Sequence, residues 1–475
     1  MDLEHRQQEL DGKIGAATAF DIKKRPLRLG GKSGILTFII GYTDGVLAER
    51  IISALQGIKG SPATLREVME ADLSFASAEA TKSVDQAASE LLRGSAVLLV
   101  DGYEDILILD ARSFPLRESS EPEKDRTLRG PHTGTNESLI SNLVQIRRYL
   151  RTAELVTERF LVGTQIPTEV AVIHLAGRAD PALLERIRSR LKKEALPALS
   201  MTQETLANHL FPPRGLGVLN PFPRVRYTER PDVVAATLME GKVAVLCDNS
   251  PSILLLPESI FDFFEEADDY YFPPVTATYL RLVRGFVFAA SVFLIPIWLL
   301  VVQNAGKVPA GLHFILTDKP HPVPLFLQFL IIELALDGLK MASLNTPSTL
   351  SNSFSVIGGL LLGEFAVKSG WFLPQTILYA AFTGIANYVP TNYELGYSFK
   401  FMRMSLVIAV AFFGIWGFLF ATAFWLFVLA CTRSSAGKGY LSPFYPFDPK
   451  GIARLFFRHK SGKERERFRQ ILPKT

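Results

Sequence analysis

Three carboxylates stand inside apolar stretches of the C-terminal third of the chain: Glu333, Asp337 and Glu364. A carboxylate in a membrane segment is costly, so it is expected to face a bundle interior or a water path. A ring of such groups in an oligomer would favour cations. Glu333 and Asp337 are four residues apart and share a helix face. Asp337 reads as an interfacial acid beside Lys340, and Lys368 follows Glu364 by four residues, close enough to neutralise it. Glu333 and Glu364 are the candidate residues of a pore or ion path, with plain neutralisation by a neighbouring base as the alternative. Gly359 and Gly363 form a GxxxG pair directly before Glu364. Such small residues allow close helix packing within or between subunits, although the motif is common.

The rest of the sequence makes no case for catalysis. The histidines form no HxxxH pair or other metal spacing, and Cys247 and Cys431 are too few and too far apart for a disulfide framework or a cysteine zinc site. Gly31-Lys32-Ser33 matches the last positions of a P-loop, but Pro26 stands where the loop needs glycine, and no strand is expected before it. His174 lies in an apolar strand pattern and reads as a packed core histidine. No serine–histidine–aspartate order or HExxH motif is present. The expectation is a protein that is not an enzyme and has no cofactor and no metal. A net charge of +4, from 51 bases and 47 acids, is too balanced for a dedicated nucleic-acid binder.

These residues must be positioned by two dissimilar halves. The 475 residues are 48% hydrophobic, with a mean hydropathy of +0.20, and the apolar excess begins near Phe272. Gly285–Val302 is 18 residues without a charge, preceded by Arg281 and Arg284. Ser405–Cys431 is 27 residues without a charge, about 40 Å as one helix, so it must tilt or project beyond the bilayer core. Between them lie weaker segments: Pro322–Leu339, Phe354–Val367, and the polar Phe372–Tyr388 with Gln375, Thr383 and Asn387. The basic flank at Arg281 and Arg284 and the basic tail after Thr432 predict both ends on the cytoplasmic side. That demands an even number of crossings, so one of the five segments is expected to be re-entrant or broken. In the tail, Pro443-Phe444-Tyr445-Pro446-Phe447 ahead of the basic run reads as an anchor to membrane lipid or as a plain basic tail.

Before Phe272 strands and helices alternate. Ile35–Tyr42 is a strand pattern, and Asp44 opens a helix. Ala96–Val100 and Ile106–Leu109 flank Asp101-Gly102 as a hairpin. Ser138–Phe160 has helical spacing, and the basic end at Arg147, Arg148 and Arg151 is expected on the surface, against an acidic neighbour or lipid headgroups. Glu169–Leu175 is a strand, and Asp180-Pro181 starts a helix. Residues 91–109 align without gaps on 238–256, each reading helix end, glycine, strand, turn, strand. This is either a common hairpin pattern or a duplication. The predicted organisation is a polar tail (1–30), which has no apolar h-region and does not read as a signal peptide, a first α/β lobe (31–117), a linker (118–135), a second α/β lobe (136–275), a transmembrane domain of four to six segments (276–432) and a basic cytoplasmic tail (433–475). The fold class is a two-lobed cytoplasmic α/β domain followed by an α-helical multi-pass membrane domain.

Four stretches carry a resemblance. NPFPRVRYTERPD (220–232), FPPVTATYLRLVR (272–284), RGPHTGTNESLISNLVQIRRYLR (129–151) and NYELGYSFKFMR (392–403) resemble the A subunits of the GerA family of spore germination proteins, from about Ile35 to about Phe457. PHPVPLFLQFLIIEL (320–334) and LDGLKMASLNTPSTLS (336–351) depart from the nutrient-receptor pattern, and the second resembles the stage V sporulation branch of that family. The resemblance implies residence in the inner membrane of the bacterial endospore and homo-oligomerisation into a cation channel that acts in ion release during germination. It also implies other spore germination membrane proteins as partners. The alternatives are a non-conducting scaffold for those proteins, a nutrient-receptor A subunit, or a secondary transporter, for which no inverted repeat is visible.

Overall fold

The structure, a computed structural model, describes residues 3–58, 60, 62–71, 73, 77–112, 126–193, 202–212, 215–317, 322–345, 366–390, 392–437, 439–445, 447–449 and 452. The chain divides into one unit formed by residues 1–213 and 225–257 and a second formed by 214–224 and 258–475.

The first unit holds two lobes with the same order of elements. The first runs α1 (Leu3–Ile14), β1 (Ile22–Leu29), β2 (Lys32–Ile39), α2 (Gly45–Gly57), α3 (Leu65–Ala71), β3 (Ser77–Thr81), α4 (Val84–Leu92), β4 (Ala96–Val100) and β5 (Ile106–Asp110). The second runs α5 (Leu139–Tyr149), β6 (Leu155–Val162), β7 (Thr168–Leu175), α6 (Pro181–Leu191), α7 (Thr202–Leu210), β8 (Arg226–Thr228), α8 (Pro231–Met239), β9 (Val243–Cys247) and β10 (Ile253–Leu256). The sheets are ordered β1-β2-β4-β5-β3 and β6-β7-β9-β10-β8, antiparallel throughout, so each strand of one lobe has its counterpart at the same place in the other. The gapless match of 91–109 on 238–256 is therefore part of a repeat of the whole lobe topology. Its glycines show why it is strict. Gly94 and Gly241 end α4 and α8 at φ values of 107° and 88°, in the left-handed region that side chains disfavour. A Cβ on Gly241 would also lie 2.7 Å from the Arg178 carbonyl oxygen.

Local chemistry explains the elements that the spacing predicted. Asp44 accepts from the Val46 and Leu47 amides, and Asp180 accepts from Ala182 ahead of Pro181 at the first turn of α6. Other expectations are corrected. Residues 1–30 are not a tail: α1 buries Leu10 and Ile14, and β1 is an edge strand whose Ile22, Leu27 and Leu29 point inward while Lys23 to Pro26 stay exposed. Only those three residues mark it as apolar, and Pro26 is tolerated because the strand lies at an edge. A strand therefore does precede Gly31-Lys32-Ser33, but Gly30 and Gly31, both at positive φ, make the β1–β2 hairpin turn. The helix expected over 138–160 stops at Tyr149, and β6 begins at Leu155. Arg147 is not on the surface. It is fully buried, and its Nε and one terminal nitrogen donate to the Asp21 carboxylate at 2.7 and 2.8 Å, with Thr157 donating to the same group at 2.8 Å. The acidic partner of that helix end thus lies at the start of β1 in the other lobe. The linker stretch is tethered where it is described: Arg230 donates to Thr127 and to the Pro131 carbonyl, both at 3.0 Å.

The second unit is helical: α9 (Asp268–Tyr271), α10 (Pro274–Gln303), α11 (Leu325–Asn345), α12 (Ala366–Lys368), α13 (Pro374–Ala386) and α14 (Tyr393–Cys431). Among the described residues α10 and α14 are long and apolar enough to cross a membrane. The basic flank of α10 is held by acids: Arg281 pairs with Asp269 at 3.0 Å and Arg284 with Glu266 at 2.6 Å. Burial pushes the Glu266 carboxyl above the usual range, against the pull of Arg284.

The 27-residue charge-free run is not one long span. At Gly414 the backbone turns out of the helix, with φ 56° and ψ −134°. The residues on either side form two antiparallel arms, since Trp425 Nε1 donates to Ser405 Oγ at 2.7 Å, 20 residues away. Both arms return to one loop. Ser398 near the start of α14 donates to the Pro221 carbonyl, Asn220 donates to Thr432 at 2.7 Å, and Tyr440 donates to the Pro223 carbonyl at 2.6 Å. Arms of 21 and 17 residues on either side of Gly414 are about 32 and 26 Å long.

Two glycines carry a prediction. Gly241→Ala should destabilise the protein by about 1–3 kcal/mol, because it combines a strained φ with a backbone contact. Gly414→Val should prevent the arms from closing. Guanidinium titration of the first variant, and Trp425 fluorescence with gel-filtration profile for the second, check these outcomes; wild-type behaviour of either would contradict the reading.

Candidate functional site

The pattern Glu333, Asp337, Lys340 advances by four and three residues and lies along one face of α11. Tyr393, Tyr397, Lys400 and Arg403 advance in the same way along the first arm of α14. The two faces meet antiparallel, so that Glu333 lies against Arg403 and Lys400, Asp337 against Lys400, and Lys340 against Tyr397 and Tyr393.

The inner end of this seam is a buried ion cluster. Arg403 Nε donates to Glu333 Oε1 at 2.8 Å, and a terminal nitrogen of Arg403 stands 2.6 Å from the same oxygen. The other terminal nitrogen donates to the Ser291 carbonyl on α10 at 2.6 Å. Lys400 Nζ donates to the Glu333 main-chain oxygen at 3.0 Å, lies 3.2 Å from Glu333 Oε2, and donates to Asp337. Glu333, Lys400 and Arg403 are all at most 4% exposed. Two acids thus face two bases, and the cluster joins α10, α11 and α14. Beside it, the fully buried Gln328 accepts from the Leu373 amide and the Thr376 hydroxyl at 3.1 and 3.0 Å, tying α11 to α13.

At the outer end of the seam is a cavity of about 340 Å³ between α11, α13 and α14. Lys340 stands over the rings of Tyr393, Tyr397 and Tyr388, with its Nζ 4.6, 4.7 and 5.3 Å from the ring centres. These are distances at which a ring face attracts a cation.

The site residues expected from sequence are placed as follows. Glu333 is buried in the bundle, its carboxylate faces Arg403 and Lys400, and it also lines the cavity between α11, α13 and α14. Asp337 pairs with Lys400, and Lys340, its expected neighbour, sits on tyrosines instead. Glu364, Gly359 and Gly363 lie outside the described residues. Sequence reasoning missed Lys400 and Arg403, because the charge-free span was counted from Ser405. The signal was present: two bases, three apart, just before an apolar run require buried acids if that helix is packed. Among the described residues no cluster of histidine, cysteine and acidic groups suits a metal ion.

Residues 8–470 match the family described as Bacillus/Clostridium GerA spore germination protein, and the chain belongs to that family. Relatives from Bacillus subtilis (strain 168) include stage V sporulation protein AF, 30% identical over 455 residues (95% of this chain and 91% of that one). Spore germination protein KA is 27% identical over 463 residues (95% and 83%). Among solved structures, the N-terminal domain of the A subunit of the Bacillus megaterium spore germinant receptor GerK3 is 23% identical with a TM-score of 0.39, covering 52% of this chain and 92% of that one.

The cluster carries a prediction. Glu333→Gln leaves Arg403 buried without its counter-charge and should cost about 3–5 kcal/mol. Glu333→Leu combined with Arg403→Leu should cost less than either single change, because no uncompensated charge remains. Thermal unfolding of wild type, Glu333→Gln, the two single leucine variants and the double variant in one detergent reads this; additive losses of the leucine pair would show that the two groups do not act as a pair.

Proposed function

We propose that this chain is a multi-pass subunit of the endospore germination machinery that assembles with copies of itself into a cation-conducting channel and acts in ion release. The observation that carries the reading is the ion cluster of buried Glu333, Lys400 and Arg403 with the half-buried Asp337, within an apolar helical unit. Ionisable groups in membrane helices line or organise an ion path more readily than they serve packing alone. Family membership and the germination and sporulation names of the relatives support the biological setting. In this reading α10, α11, α13 and the two arms of α14 lie among an even number of crossings of the inner membrane of the spore, both chain ends face the spore core, and the two lobes assemble neighbouring subunits and bias the gate. Because Arg403 and Lys400 face Glu333, it organises the path by holding α11 against α14, and the permeating ion is met by other groups. Partners are further copies and other spore germination membrane proteins; the chain is not an enzyme and takes no cofactor.

A scaffold that conducts nothing is the second reading, and the charge pairing of Glu333 with Arg403 and Lys400 favours it. Ion release from germinating spores with and without the gene separates the two. The channel reading expects slower release with every nutrient, as for an amplifying subunit of the sporulation type. Complete loss of the response to one nutrient alone would mark a nutrient-receptor A subunit. Unchanged release with normal assembly of the other germination proteins would contradict both the channel and the scaffold.

A further inference from the structure

The cavity at the outer end of the seam holds a charge that the ion cluster does not use. Glu333 and Asp337 are engaged by Lys400 and Arg403. Among the described residues no carboxylate lies within ion-pair distance of Lys340; its neighbours are the faces of three tyrosines. Ring faces hold an ammonium in place without neutralising it. Asn387 also lines the cavity, and its side-chain oxygen is buried without a hydrogen-bond partner. Glu333, Asp337 and Lys400 also line the cavity, and Glu333 Oε2 is likewise without a hydrogen-bond partner. Those two acids are met by Lys400 and Arg403, so Lys340 is left as a base that no described carboxylate pairs with, and together with the open Asn387 acceptor it suits a phosphate that carries a hydroxyl-bearing group.

The surroundings indicate where such a phosphate would come from. α11 and α13 run side by side in one direction: Gln328 bonds to Leu373 and Thr376 near their starts, and Leu336, midway along α11, meets Gly384 near the end of α13. Leu334 and Met341 on α11, and Leu378 and Ile385 on α13, are exposed and seven residues apart, two turns along one helix face in each pair. Two apolar stripes thus lead from the body of the helical unit to the cavity. The tyrosines and the lysine at its mouth are the residue types that settle at headgroup depth.

We propose that this cavity binds the headgroup of an acidic phospholipid, with Lys340 on the phosphate, Asn387 accepting from a headgroup hydroxyl, and the acyl chains along the Leu334–Met341 and Leu378–Ile385 stripes. The inference rests on the membrane embedding of these helices and not on ion conduction, so a protein without flux can still show it.

The test uses full-length protein in detergent, supplied with phosphatidylglycerol or phosphatidylcholine, with retained lipid counted by native mass spectrometry. Wild type should retain phosphatidylglycerol in preference. Lys340→Gln should weaken that retention about five-fold, the factor for about 1 kcal/mol per basic residue at an anionic surface. It should leave phosphatidylcholine unchanged, and Lys340→Arg should keep the preference. Equal retention of the two lipids by wild type overturns the proposal, and this holds even if Lys340→Gln does not fold. Inorganic phosphate and glycerol 1-phosphate at millimolar concentration separate the sources. The lipid site expects neither to displace phosphatidylglycerol; full displacement by glycerol 1-phosphate overturns it and assigns the cavity to a soluble phosphate ester.

Discussion

A carboxylate inside an apolar helical bundle is costly unless a base faces it, and the packing of the helical unit follows from meeting that condition at Glu333. Arg403 and Lys400 supply the bases from one arm of α14, and Arg403 reaches on to the Ser291 carbonyl of α10. Three helices are thereby fixed in register at one level. In a medium without water the alternative register would strand charges, which is more costly than mispacked leucines. The pairing sets specificity more than net stability, since well-packed apolar side chains could fill the same space.

The same logic recurs in the α/β unit at smaller scale. Arg147 and Asp21 form a buried bidentate pair between the lobes, and Ala19 bridges to Thr157 beside it. Each lobe alone is an antiparallel sheet with helices, and the pair fixes how the two copies of that plan meet. Repetition of the lobe gives two equivalent sets of edges and loops.

Much of this was legible in the sequence because the strands are continuous apolar runs bounded by glycine and aspartate. The 96–109 and 243–256 hairpins, the Asp44 and Asp180 caps and the repeat all depend on contacts close in sequence. What could not be read depends on distant partners. β1 has three inward residues and a proline, and becomes a strand only because β2 pairs with it. Gly414 lies in the run AFFGIWGFLF, where the 27-residue charge-free length argues for a single span, and the fold-back shows only in the positive φ and in the bond from Trp425 to Ser405. Glu333 was legible as a buried acid, but its partners stand about seventy residues later, beyond any periodicity argument. Nothing local distinguishes a paired acid from a pore-lining one.

The most direct test of the channel is cation efflux from liposomes that contain the purified full-length protein and no other. The account predicts potassium release that depends on the protein, carries little chloride, and survives the charge-free Glu333→Leu/Arg403→Leu pair once that protein is shown to assemble. Sealed liposomes holding assembled wild-type protein with no release above the lipid background would contradict it.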